Sequence, residues 1–127
     1  KNKFGGKGIR ALVLTPTREL AAQVEESVRE YGKYLDINST VVFGGVGMNP
    51  QIDRVKRGVD ILVGTIGKLS ALVKSKALDL SQIRFFVLDE ADRLLSTDSL
   101  DSVMELFNKC PGGGTGQHRL QVCFLYL

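Results

Sequence analysis

The run Phe85-Phe86-Val87-Leu88-Asp89-Glu90-Ala91-Asp92 constrains the fold more than any other stretch of the chain. Its apolar residues lead without a break into an acidic cluster. A short continuous apolar run suits a strand buried on both faces, as in a parallel sheet covered by helices. Such a strand delivers its last residues to the carboxyl edge of the sheet, where α/β proteins place their ligands. Asp89 and Glu90 then share a protected rim, where a carboxylate pair can hold Mg2+ and poise a water molecule. The alternative for this octet alone is a strand end followed by a solvated acidic turn.

The rest of the chain alternates in the same manner. Residues 10–15 form a first apolar run, after which helical spacing takes over. Leu20, Val24, Val28, Tyr31 and Leu35 share one face with Ala21 beside them, while Glu25 and Arg29 fall one turn apart on the outer face. A second strand at 40–43 ends in Gly44-Gly45. A helix over about 50–56 stops at Gly58. The third strand is 60–63, and the helix that starts at about Ile66 turns Leu69, Leu72 and Val73 inward. Beyond the acidic strand, Leu100, Val103, Met104 and Phe107 share a helical face, and Ser102 with Glu105 suits a capping box near its start. Residues 110–116 are a glycine-rich loop, and 120–124 read as a fifth strand. Strands separated by helices of this length imply βαβ units and a mainly parallel sheet. There is no internal repeat and no domain boundary.

A chain of 127 residues with 43% hydrophobic and 24% charged residues fits one soluble domain. A net charge of +3 and a pI near 9.0 are compatible with nucleic-acid binding without demonstrating it. No apolar run is long enough to span a membrane, and Lys1-Asn2-Lys3 opens no signal-peptide pattern. Cys110 and Cys123 lack CxxC spacing and have only His118 for company, which points to reduced intracellular thiols rather than zinc. The start at Lys1 rather than Met suggests a piece of something longer.

The turn Pro16-Thr17-Arg18-Glu19-Leu20 joins the first strand to its helix. Thr17 suits an N-cap, the helix start favours an anion, and Arg18 supplies a guanidinium fork for a phosphate. A capped helix with an incidental arginine is the plainer alternative. Gly44-Gly45 lets backbone approach a ligand closely, or is simply a turn. Thr65-Ile66-Gly67-Lys68 repeats the first pattern, with a capping threonine before a helix that carries a lysine in its first turn. That lysine opposes the helix dipole unless an anion is present. Three phosphate-compatible turns and one acidic end, all at carboxyl ends of strands, make a coherent rim.

In order and approximate spacing, Pro16-Thr17-Arg18-Glu19-Leu20-Ala21, Gly44-Gly45, Thr65-Ile66-Gly67-Lys68 and Asp89-Glu90-Ala91-Asp92 resemble motifs Ia, GG, Ib and II of DEAD-box RNA helicases. The likeness covers residues 9–124. Residues 58–65 and 80–85 look especially like the subgroup with a SPRY domain inserted after the P-loop. The resemblance implies the first of two RecA-like domains, a P-loop NTPase three-layer α/β sandwich with a mainly parallel sheet. It also implies ATP bound between the domains and RNA lying across both. By position, Asp89 helps hold Mg2+ through water, Glu90 activates the attacking water, and Asp92 links the nucleotide site to motif III. Pro16, Thr17, Arg18, Gly44, Gly45, Thr65, Gly67 and Lys68 would meet the RNA backbone, with little sequence preference.

The departures from the family pattern matter as well. Motif Ib usually reads TPGR; here Ile66 replaces proline and Lys68 replaces arginine, losing preorganisation and the guanidinium fork. Where the family has Ser-Ala-Thr, this chain reads Leu125-Tyr126-Leu127, so motif III is absent or replaced. No GxxxxGK[ST] occurs, so the sequence lacks a phosphate-cradling loop and its lysine. The Q motif and second RecA-like domain are missing too. Two classes follow. One is a piece of an ATP-dependent RNA helicase, inactive as this chain alone. The other is a naturally short, non-catalytic variant that binds RNA or a partner. Flanking coding sequence separates them.

Overall fold

Short apolar runs bounded by turn residues become strands because they are too brief for stable helices. The computed structural model describes residues 8–43, 48–96, 100–111 and 121–125. In chain order the elements are β1 (Ala11–Thr15), α1 (Arg18–Gly32), β2 (Ser39–Val42), α2 (Met48–Arg57) and β3 (Ile61–Thr65). They continue with α3 (Ile66–Lys74), β4 (Phe85–Asp89), α4 (Ala91–Leu94), α5 (Leu100–Asn108) and β5 (Gln121–Leu125). The strands form one sheet in the order β2-β3-β1-β4-β5. Every pairing is parallel, with Leu12 beside Leu62 on one side and Phe86 on the other.

Crossover handedness distributes the helices. A strand–helix–strand connection between parallel strands is right-handed. From β1 the chain moves two places to reach β2, then reverses and travels the other way through β3, β4 and β5. The first crossover helix therefore lies on one face and the later ones on the opposite face. The larger core fits this division: Leu12, Leu14, Leu62, Phe86 and Leu88 pack with Leu69, Leu72, Leu94, Val103 and Leu106. The Phe86 and Phe107 rings meet edge-on, with centroids 5.5 Å apart. Under α1 a smaller core holds Val13, Ala21 and Val63. α3 closes with a Schellman turn, in which the Ala77 N–H donates to the Leu72 carbonyl at 2.9 Å and that of Lys76 to Val73 at 3.0 Å.

The seating of α1 corrects the sequence expectation. Its buried residues are Ala21, Glu25 and Gly32, while Tyr31 and Leu35 are 79% and 51% exposed. Glu25 is not on the outer face; its carboxylate accepts a 2.8 Å hydrogen bond from the Ser39 hydroxyl at the start of β2. Arg29 lies 3.7 Å from the same carboxylate. This polar tie rotates the helix, because a buried carboxylate must keep its partners. Leu20, Val24, Val28 and Tyr31 consequently line an open groove of about 490 Å³ beside the contact. α1 packs over β1, β3 and β2, and no helix among the described residues covers β4 and β5 on that face. β4 is thus fully covered on one face only, and Phe85 is 43% exposed.

α5 is corrected in the same way. Val103 and Leu106 point inward, whereas Leu100 and Met104 are exposed. The helix already begins at Leu100, so Ser102 stands inside it and forms no capping box with Glu105. The second, third and fifth strands each shift by one or two residues from the expected bounds, and α2 is slightly longer. Cys110 is buried, which pushes its thiol pKa up to about 12 and leaves it inert. Gly44-Gly45, His118 and loop residues 112–116 lie outside the described residues.

Gly64 is where β3 meets α3 at closest range. A Cβ there would stand 2.9 Å from both Leu69 Cγ and Val42 Cγ2, in side chains that are fully buried. Gly64→Ala should therefore cost about 1–3 kcal/mol through overpacking. Urea denaturation measures it; an unchanged midpoint would show that this contact relaxes freely.

Candidate functional site

Strand connections that leave toward opposite faces open a crevice at the carboxyl edge of a parallel sheet. The connection from β1 leaves toward α1, whereas those from its neighbours β3 and β4 leave toward the other helices. The turns at 15–18, 65–68 and 89–92 therefore flank one switch point. These are the segments that the sequence motifs single out, apart from Gly44-Gly45.

The first turn is rigid. Thr17 has extended backbone (φ −132°, ψ 156°) and its Oγ1 accepts the Leu20 N–H at 3.2 Å, the N-cap expected from sequence. Its carbonyl accepts the Ala21 N–H at 3.0 Å and the Thr15 hydroxyl at 3.1 Å. Arg18 follows as the first helical residue, with its guanidinium more than half exposed. A 3.8 Å approach to the still more open Glu19 carboxylate restrains it little. A cation at a helix start is electrostatically unfavourable, and an anion bound there would reverse the sign.

The second turn differs from expectation. Thr65 occupies the N-cap position of α3, yet its hydroxyl makes no cap bond. The first-turn N–H groups consequently lack a side-chain acceptor from Thr65, which favours an external anion. Gly67 adds room, since a Cβ there would meet nothing within 4 Å. Lys68 is half-buried, one residue further along, and has no ion pair among the described residues. Between the two turns lies a cavity of about 300 Å³ lined by Thr15, Pro16, Thr65, Gly67, Leu94 and Ser102. Ser102 is the residue sequence reasoning missed as a site member, because its spacing to Glu105 suited a cap instead.

The acidic end is under electrostatic and conformational tension. Asp89 is buried, and its pKa is raised, first by desolvation and then by the Glu90 charge beside it. Glu90 stands in the left-handed region (φ 52°, ψ 57°), which a side chain of its kind adopts at a cost of about 1–2 kcal/mol. Its carboxylate meets Arg93 Nη1 at 3.2 Å, and its carbonyl starts α4 by accepting the Arg93 N–H. Asp89 has no cationic partner among the described residues. Asp92 is exposed in the first turn of α4 and shares no hydrogen bond with the pair.

No group of three or more His, Cys, Asp or Glu residues suited to a metal occurs among the described residues. Mg2+ typically takes only one or two carboxylates and completes its shell with water and phosphate oxygens. The unneutralised, desolvated charge of Asp89 fits such a cation.

A family model described as DEAD/DEAH box helicase matches residues 2–125. DEAD-box ATP-dependent RNA helicase 5 of Arabidopsis thaliana is 47% identical over 100 residues, covering 75% of this chain and 19% of that protein. ATP-dependent RNA helicase DDX1 of Xenopus laevis is 40% identical, over 89% of this chain and 16% of its own length. ATP-dependent RNA helicase RhlB of Pasteurella multocida is 38% identical, over 94% and 28%. The solved structure of the yeast DEAD-box splicing factor Prp28 superposes with a TM-score of 0.83 at 27% identity, over 94% of this chain and 28% of that one. The parallel sheet and its helices thus have the RecA-like fold of DEAD-box domains. The chain spans less than a third of each of these relatives.

The raised pKa of Asp89 sets a testable sign. A carboxyl whose folded pKa lies above its unfolded value binds its proton more tightly in the native state. Its ionised form therefore subtracts stability at neutral pH, and the penalty fades as pH falls through the folded pKa. Asp89→Asn should raise the thermal midpoint at neutral pH, with the gain shrinking in acid. Midpoints recorded across pH test this; a loss of stability at neutral pH would contradict it.

Proposed function

This chain belongs to the DEAD/DEAH box helicase family, and from that premise we propose that it forms part of the first RecA-like domain of an ATP-dependent RNA helicase. In this reading it grips RNA by the phosphate backbone and contributes the acidic half of an ATP site. One observation carries the proposal: two anion-ready turns and a strained carboxylate pair share the sheet edge on either side of β1.

ATP with its Mg2+, when bound, supplies the phosphoryl group that water attacks. Asp89, desolvated and without a cationic partner, would hold the metal through water. Glu90, with its left-handed backbone and its contact to Arg93, would orient a water and accept its proton. Asp92 lies further along and belongs to the connection toward the segment after β5. Pro16, Thr17 and Arg18 on one turn, Thr65, Gly67 and Lys68 on the other, and Gly44-Gly45 after β2 would bear the RNA. A second RecA-like domain would close over both ligands. Phosphate contacts carry no base information, so little sequence preference follows. No described helix is long and apolar enough to cross a membrane. The free thiols Cys110 and Cys123 support an intracellular setting.

Within the full-length enzyme, Glu90→Gln should retain ATP binding while slowing hydrolysis by about 10²–10⁴-fold. Single-turnover kinetics with a parallel nucleotide-binding assay give both numbers, and near-normal turnover would remove Glu90 from this role.

Arg18→Ala should weaken binding to unrelated single-stranded RNAs by similar factors and flatten the salt dependence by about 0.7 in log–log slope. If the loss were confined to one sequence, Arg18 would be reading bases.

A further inference from the structure

The two edges of the sheet are finished differently. β2, at one end, is packed by α1 and α2, and its Thr40 and Val42 are buried. β5, at the other end, pairs with β4 alone among the described residues, and Gln121, Val122, Cys123 and Phe124 are all exposed. Soluble proteins guard an open edge with charge, proline or a bulge. Gln121–Leu125 carries no charge and no proline, and its register with β4 runs without a bulge.

The ladder shows which backbone groups are open. The Gln121 N–H donates to the Arg84 carbonyl at 2.9 Å, so Gln121 bonds toward β4. A strand turns the N–H and C=O groups of successive residues to opposite edges, so Cys123 and Leu125 also bond toward β4. Val122 and Phe124 therefore direct theirs outward, beside side chains that are 36% and 48% exposed.

Outward residues on either side of a central one make a strand complementary to its own copy run in reverse. In an antiparallel pair with a two-fold axis at Cys123, Val122 stands opposite Phe124 of the second copy, and Phe124 opposite its Val122. Each such pair exchanges both N–H···O=C bonds, and a β-branched residue facing an aromatic one is a favourable cross-strand pair. Cys123 then meets Cys123 of the second copy as a non-hydrogen-bonded pair, with Cα atoms about 4.5 Å apart. A neutral strand offers a charged partner nothing to select, whereas two-fold closure uses the outward groups of both copies at once.

We infer that β5 is a self-association surface, through which two copies of the chain join edge to edge, antiparallel about Cys123, into one continuous sheet. This goes beyond the reading above and does not rest on it. The turns at 15–18 and 65–68 follow β1 and β3, away from this edge, and stay open in the dimer. The carboxyl edges of the two copies face opposite ways, because the strands of one run against those of the other.

An edge of five residues makes an interface below the standard size, so the association is weak and concentration-dependent. Sedimentation equilibrium of the reduced chain should give 13.9 kDa at low micromolar concentration, rising toward twice that mass on approaching about 1 mM. Val122→Pro deletes an outward donor without touching the β4 ladder. It should weaken dimerisation by about 5- to 100-fold, for two hydrogen bonds lost per dimer. Phe124→Lys places a guarding charge on the edge and should act in the same direction. Should the proline variant fold poorly by circular dichroism, the lysine variant carries the measurement. Diamide, which takes up the two electrons and two protons of a thiol pair, should link two copies through Cys123. A cross-strand pair at that spacing is within disulfide reach. The link should vanish in Cys123→Ser and slow in Val122→Pro, and buried Cys110 does not compete. A monomer at every concentration overturns the inference, whether Cys123 then reacts freely with a thiol probe or is shielded by another segment of the polypeptide. A dimer that survives both edge variants, or that forms without the Cys123 link, overturns it as well.

Discussion

The central place of β1 is the constraint on which the rest depends. It pairs on both sides, with β3 through residues 61–65 and with β4 through residues 85–88. Its side chains therefore enter both cores, Leu12 and Leu14 on one face and Val13 on the other. Because the chain departs from β1 in one direction and later returns past it in the other, right-handed crossovers send neighbouring connections to opposite faces. The crevice at the carboxyl edge is a by-product of that topology and is lined by whatever residues the turns carry. Here those residues are a capped arginine, an uncapped glycine–lysine turn and two adjacent carboxylates.

The two faces of the sheet are unequal. One carries nearly all the large buried side chains, including Phe86, Leu62, Leu69 and Leu106. The other, among the described residues, rests on α1 alone and is held by a small apolar cluster together with the Glu25–Ser39 hydrogen bond. Exposed Phe85 and the groove beside Leu20, Val24 and Val28 lie on this thinner side. A chain that spans less than a third of these helicase relatives presents such a face without contradiction, since a larger domain has more surface with which to cover it.

Much of the fold was legible because its strands are continuous apolar runs and its turns carry residues with distinct backbone preferences. Thr17 as a cap, Gly58 at positive φ, and Asp89 at the strand end all follow from local chemistry. The misplaced features share a cause. Glu25 is buried because Ser39, distant in sequence, meets its carboxylate, and helical periodicity has no means of showing that partner. Leu100 and Met104 face outward because α5 is aligned by Val103, Leu106 and Phe107 against the sheet rather than by its most apolar stripe. Thr65 has the sequence of a cap but not the bond, and it borders a cavity that exists only in the folded chain. Local rules describe elements, and the site is made where elements meet.

The left-handed backbone of Glu90 has a consequence for engineering. Glycine, and to a lesser degree asparagine, relaxes such a conformation, so a library selected only for thermal resistance would be drawn toward replacing Glu90. The same selection would favour neutralising Asp89, whose ionised carboxylate is desolvated. Heat challenge alone would thus enrich sturdier sequences from which the acidic rim had been erased. Any stabilisation campaign on this fold needs residues 89 and 90 held constant, or a functional screen beside the thermal one.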